Sequence, residues 1–177
     1  MIKKLELFII HGIPGSGKST LARKICDRRG LTYDRISDND SFFMKDGIYH
    51  FDGTIHYLAR KACEAHSAVN LWQYGFSIVA NTFCRYHDME NIIEDAAEIG
   101  KALDVHPEII VVEPDGNTPF KDVDFYLKRN VHGVPRQVIE AMMHSWEPND
   151  QRALEEFVIH TVGLDALVKL LTESEVC

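Results

Sequence analysis

The sequence predicts an α/β fold: a five-stranded parallel sheet with helices packed on its faces. Strand-like and helix-like stretches alternate along the chain, and the first pair is joined by a glycine-rich turn. Leu5-Glu6-Leu7-Phe8-Ile9-Ile10 is a nearly continuous apolar run, as a strand covered on both faces would be. Gly12-Ile13-Pro14-Gly15-Ser16-Gly17-Lys18-Ser19-Thr20 follows and fits G-x-x-x-x-G-K-[ST] without a gap. Beyond it Leu21, Ala22, Ile25 and Cys26 recur at helical spacing, and Gly30 stands where a helix-ending glycine would.

Strand, glycine-rich turn and helix in this order are the setting of a phosphate-binding loop. Gly12, Gly15 and Gly17 let the backbone curl until successive N–H groups point inward. The following helix turns its positive N-terminal end on the same spot. Pro14, Ser16 and Thr20 complete the candidate nucleotide-binding segment. Lys18 is placed to reach the β and γ phosphates, and the Ser19 hydroxyl to ligate Mg²⁺.

The later elements follow the same alternation. Thr32 to Ser37 reads as a second strand, running into the acidic loop Ser37-Asp38-Asn39-Asp40-Ser41. Asp46-Gly47 marks a turn, and Thr54 is placed to cap a long helix. Along that helix Ile55, Leu58, Ala62, Ala65, Val69 and Trp72 form one apolar stripe, ended by Gly75. Phe76 to Ala80 is the third strand, leading into Asn81-Thr82. A helix with Met89, Ile92, Ile93, Ala96 and Leu103 precedes a fourth strand, Glu108 to Glu113, closed by Pro114-Asp115-Gly116. Two helices, roughly 123–131 and 135–146, flank a junction at Gly133 and Pro135. Phe157 to Thr161 reads as the fifth strand, and Leu164, Leu167, Val168 and Leu171 mark a last helix.

At 177 residues the chain is expected to form one domain, 1–177, with a substantial core. A net charge of −8 weighs against a long nucleic-acid footprint, while a local basic segment can still hold a short strand end. Cys26, Cys63, Cys84 and Cys177 show no C-x-x-C and no metal-ligand spacing, which fits reduced thiols in a cytoplasmic protein. No apolar run approaches membrane-spanning length, and nothing at the N-terminus reads as a signal peptide. The pattern says nothing of oligomeric state.

Ligands of parallel α/β sheets bind at the carboxyl ends of the strands. That rule gathers the phosphate loop, the 37–41 loop and Asn81-Thr82 on one rim. Those stretches, with Asp46 to Asp52 and Arg129-Asn130-Val131-His132-Gly133-Val134-Pro135, make the chain resemble the P-loop kinases of the polynucleotide 5′-hydroxyl kinase type. The resemblance spans about residues 5–148, and the Arg-Asn-x-His-Gly-Val-Pro stretch is its most specific part. It implies a P-loop NTPase fold of adenylate-kinase-like strand order with a helical lid at about 123–146. It also implies ATP with Mg²⁺, and transfer of the γ-phosphate to a hydroxyl acceptor: a polynucleotide 5′ end, a nucleoside or a nucleotide. By position Lys18 and Ser19 keep their roles, Arg129 is the lid arginine, and Arg136 stands near the phosphates.

Two departures fall on the acceptor side. Asn39 occupies the place of that family's catalytic acid, and Asn81-Thr82-Phe83 differs from its usual third-strand end. Asn cannot take a proton from a hydroxyl at neutral pH. Asp40 is the preferred replacement, with Asp38 a second candidate that could hold Mg²⁺-bound water; both acids could also serve only as caps. If the segment stays extended, both acids point away from Asn39's side. If it turns at Asn39, Asp40 swings in. A nucleotide-binding or slowly hydrolysing switch, and a toxin-like small-molecule kinase, are the alternatives the departures leave open.

Overall fold

The computed structural model describes residues 2–114, 122–147 and the backbone of 158–162. Strand β1 (Leu5–His11) is buried at every position, because sheet neighbours and helices cover it on all sides. Around it run β2 (Ile36–Ser37), β5 (Phe76–Asn81), β6 (Pro107–Val112) and β7 (Val158–Val162), in the order β2-β5-β1-β6-β7. Four parallel pairings join them, with Ile9 opposite Val79 on one side and Val111 on the other. Side chains are described for β1, β2, β5 and β6; at the β7 edge only the backbone is. A separate hairpin, β3 (Met44–Lys45) and β4 (Ile48–Tyr49), turns through Asp46 and Gly47, both at positive φ.

The period-two alternation of β1 divides the core. Leu5, Leu7 and Ile9 face α2 (His56–Tyr74) and α3 (Glu90–Leu103), packing with Leu71, Met89, Ile92 and Ile93. Phe8 and Ile10 face α1 (Lys18–Arg29), packing with Leu21, Ala22 and Ile25. Gly30 ends α1 and Gly75 ends α2, each in the left-handed conformation. A third cluster joins Ile13 of the glycine-rich loop to α4 (Val123–Arg129) and α5 (Arg136–His144), through Tyr126 and Ile139.

Three expectations are corrected. The second strand is shorter than Thr32–Ser37: Tyr33–Arg35 forms a 3-10 turn, leaving two residues to pair. Asp52, not Thr54, caps the start of the long helical segment, its carboxylate accepting from the Thr54 N–H. The apolar stripe on α2 faces outward, with Leu58, Val69 and Trp72 about half exposed. The buried face carries Ala59, Cys63, Glu64, Ser67, Asn70 and Leu71 instead. Its polar members are buried because each finds a partner. Ser67 meets Ser77 at 3.0 Å, Asn70 donates to the Asp34 carbonyl, and Arg60, Lys61 and Asn91 hold Glu64. The expected helix at 164–171, the turn beyond Pro114 and Cys177 lie outside the described residues.

Candidate active site

A cavity of about 820 Å³ opens at the carboxyl ends of β1, β2 and β5. That volume is within the range of small-molecule sites. Its donor wall is the glycine-rich loop, with Pro14, Gly15, Gly17, Lys18, Ser19 and Thr20 at the surface of the cavity. Gly15 and Gly17 sit at φ of 85° and 100°, a region closed to most side chains. A Cβ at Gly15 would also collide with the Tyr126 carbonyl oxygen, so α4 rests directly on the loop. Ser16 is buried, and its Oγ has no hydrogen-bond partner among the described residues. Gly12 is buried beneath it, off the cavity surface. Lys18 extends from the first turn of α1 and donates to the Ile13 carbonyl at 3.2 Å. An orphaned hydroxyl, a glycine cradle and a helix N-terminus on one spot suit a phosphate chain.

Arg129, the last residue of α4, brings its guanidinium to the same loop. A Cβ placed on Gly17 would lie 3.4 Å from Arg129 Nη2. The guanidinium stacks over Phe125, 4.8 Å from the ring centre, which fixes its direction. Arg136 goes elsewhere. It opens α5, does not line the cavity, and pairs with Asp124 and Glu140 at the surface. Those two carboxylates hold its charge at the surface.

The rest of the lining is assembled from separate segments. Asn39 has ordinary right-handed helical angles and starts the 3-10 turn Asp40–Phe43. The chain therefore turns here without strained geometry, and both Asn39 and Asp40 reach the cavity. Asp38 does not: its carboxylate accepts from the Ser41 N–H at 2.5 Å and caps the turn. Asn81, buried at the end of β5, holds Asn39. Its Oδ1 accepts from the Asn39 N–H at 2.8 Å, and its Nδ2 faces Asn39 Oδ1 at 3.4 Å and Cys63 Sγ at 3.2 Å. Asp40 meets two groups outside the candidate site residues drawn from the sequence, Tyr49 and His132. Only their place inside the family-like stretches could have signalled them.

Electrostatics at the rim follow burial. His11, stacked on Trp146 at 4.9 Å with its Nδ1 3.3 Å from the Phe83 carbonyl, is held down to a pKa of about 4. Burial is the main cause, and the Lys18 charge adds to it. Burial pushes the Cys63 thiol up to about 12 and raises Cys84 as well, so neither is an activated nucleophile. The Tyr49 phenol is raised by burial and by the Asp40 carboxylate beside it, which keeps it a hydrogen-bond donor. Phe83, just past β5, carries a positive φ of 40° at the cavity wall.

A parallel sheet in this order, with a glycine-rich loop leading into a helix and a helical pair over it, is a P-loop kinase-like α/β fold. The chain belongs to the AAA domain family AAA_33, which it matches over residues 7–148. It is 28% identical over 151 residues to human (Homo sapiens) NEDD4-binding protein 2. That match takes in 81% of this chain and 8% of the longer protein. A fungal RNA kinase superposes with a TM-score of 0.58 at 10% identity, covering 92% of this chain and 75% of that one. A gluconokinase from Sinorhizobium meliloti superposes at 0.54 with 14% identity, covering 92% and 85%. At those identities the likeness is one of fold. No helix among the described residues is long and apolar enough to cross a membrane.

Proposed function

We propose that the protein is an ATP-dependent kinase that moves the γ-phosphate to a hydroxyl acceptor, a polynucleotide 5′-hydroxyl or a nucleoside or nucleotide. The observation that carries this reading is one cavity with both kinds of wall. Lys18, Ser19, Arg129 and Asp40 all line it, the first three on what we read as the donor wall and Asp40 on the acceptor wall. The two similar kinase folds take different acceptors by name, RNA and gluconate, so the fold alone does not select one.

The backbone N–H groups of residues 15–20, the Ser16 hydroxyl and Lys18 bind the phosphates. Ser19 Oγ would hold Mg²⁺, which would neutralise charge on the phosphates. Asp40 orients the acceptor hydroxyl and takes its proton. The acceptor oxygen bonds to the γ-phosphorus, and the bond from that phosphorus to the β–γ bridging oxygen breaks. The electron pair leaves with the nucleoside diphosphate. Arg129 stabilises the charge of the transferring group, and α4 with the 130–135 turn acts as the lid. Asp38 serves as a cap, and Arg136 holds α4 to α5.

One observation favours a second reading, a nucleotide switch. Asn39, at the place of the resembled family's acid, is locked to Asn81. Incubation with γ-labelled ATP and a panel of 5′-hydroxyl oligonucleotides, nucleosides and sugars separates the two. The kinase reading expects label on an acceptor, lost in Lys18→Ala and in Asp40→Asn, with fluorescent ATP-analogue binding lost only in Lys18→Ala. Release of free phosphate alone, or undiminished transfer by Asp40→Asn, overturns it.

A further inference from the structure

Asp40 sits on a short turn with its side chain 46% exposed. A carboxylate so placed turns freely about its own bonds unless something holds it. Here two side chains reach it from distant parts of the chain. Tyr49 Oη, on β4, donates to Oδ1 at 3.0 Å. His132 Nε2, on the turn between α4 and α5, lies 3.4 Å from Oδ2. The two rings support one another, with centroids 4.4 Å apart.

Each side chain is itself anchored. Tyr49 packs edge-on against buried Phe43 at 6.1 Å. The His132 backbone N–H donates to Asn130 Oδ1 at 3.2 Å, and Asn130 Nδ2 donates to the Val134 carbonyl at 2.9 Å. The turn that carries His132 is thus held by its own hydrogen bonds. His132 follows Arg129 by three residues, so the helical pair that lays a guanidinium on the phosphate loop also brings an imidazole to the acid.

We propose that Tyr49 and His132 are positioning residues for Asp40, and that His132 makes the aim of that carboxylate depend on the seating of α4 and α5. The inference rests on the reading of Asp40 as the acceptor-side acid. A carboxylate has about four lone-pair sites on two oxygens. The Tyr49 hydrogen bond on Oδ1 and the imidazole nitrogen beside Oδ2 together set the plane of the group and still leave sites for the acceptor hydroxyl. With the helical pair lifted, Oδ2 loses the imidazole beside it and the plane is released. Phosphate clamp and acceptor aim therefore form together, which suppresses transfer from a half-closed site.

The experiment is single-turnover loss of γ-label from ATP, with a 5′-hydroxyl oligoribonucleotide as the probe and with water alone. If the oligonucleotide takes no label, the same ratios are read from hydrolysis, where water is the acceptor. Tyr49→Phe removes only the hydroxyl, and His132→Phe keeps a ring against Tyr49 but no donor. Each should lower the rate at saturating ATP by about 10²-fold, the scale of a misplaced catalytic group, with the KM for ATP unchanged. His132→Gln, which restores an N–H near the place of Nε2, should recover most of the rate.

A purely structural role is separated by repeating the changes on Asp40→Asn. If the two residues act through Asp40, Tyr49→Phe and His132→Phe cost nothing further there. Equal losses in both backgrounds, or no loss in either, would overturn the proposal. If Asp40→Asn itself retains the full rate, the reading of Asp40 fails and this inference with it. If Asp40→Asn is slow while both phenylalanine variants are fast, only the positioning role fails.

Discussion

On the donor wall, Gly15, Gly17, Lys18 and Ser19 come from one continuous segment between β1 and α1. On the acceptor wall, Asn39, Asp40, Tyr49, Asn81 and His132 come from four segments spread from the 3-10 turn after β2 to the turn before α5. The first wall is a local structure: a strand, two glycines at positive φ and a helix N-terminus suffice to make it. The second exists only once the sheet has formed and α4 has docked. A wall made of one segment tolerates change elsewhere; a wall made of four depends on every contact between them. The two walls should therefore fail in different ways.

Arg129 tests the division most severely, because it joins the donor wall from outside the motif. Its guanidinium is aimed at the loop and braced by Phe125. Arginines that stabilise the transferring phosphoryl group are worth on the order of 10³-fold or more in rate. Arg129→Ala should lose about that much at saturating ATP while the affinity for a fluorescent ATP analogue changes little. Arg129→Lys should not rescue it, since a lone ammonium lacks the planar fork. A variant that binds ATP poorly but turns over normally would show that Arg129 belongs to ground-state binding instead.

That division also explains what the sequence made legible. The nine residues of the phosphate loop carry their geometry with them, so strand, loop and helix were readable from spacing. The burial of β1 on both faces was readable from its nearly continuous apolar run. The outward face of α2 was not. Its apolar stripe has core spacing, yet Glu64, Ser67 and Asn70 go inward because Ser77, Asp34 and Asn91 stand ready to pair with them. Nor was the pairing of Asp40 with Tyr49 and His132 readable, since no spacing encodes a contact between a turn, a hairpin and a lid. Asp40 reaches the cavity with ordinary right-handed angles at Asn39.

The donor wall stands on a base that acid should weaken. His11 immediately precedes Gly12 and is held neutral by burial, with its pKa lowered to about 4. In the unfolded chain an imidazole titrates near 6.5. Between those values the unfolded state takes up a proton that the native state refuses. Stability therefore falls as pH drops from about 6.5 towards 4, and His11 contributes nothing to the slope above that window. The full loss is about 3 kcal/mol. Urea unfolding at pH 7, 5 and 4 measures it. His11→Phe keeps a ring on Trp146 and removes the titration, so its stability should decline less over that range by about that amount. Parallel declines of the two proteins would remove His11 as the source.

The smallest expected effect is on the acceptor wall, at Asn81. This side chain is the tie between β5 and the turn that presents Asp40, through the Asn39 N–H at 2.8 Å. Asn81→Ala leaves that N–H without its acceptor and Cys63 without its amide partner. The cost of stranding one such group is about 1–3 kcal/mol. Because Asn39 is only partly buried, water can replace some of the lost bond, so the lower end applies. In a chain of this size that corresponds to a fall in Tm of about 2–4 °C. The change touches none of the phosphate-loop groups, so ATP-analogue affinity should stay at the native value. Transfer should nevertheless slow, because the 39–43 turn loses the contact that sets its distance from the loop. Asn81→Asp keeps an acceptor for the Asn39 N–H and should restore part of the stability, but it gives up the donor that meets Cys63. The informative measurement is the pair, Tm and ATP affinity, on the same preparations. Loss of ATP binding in Asn81→Ala would show that the two walls are one cooperative unit and that the division drawn between them is wrong.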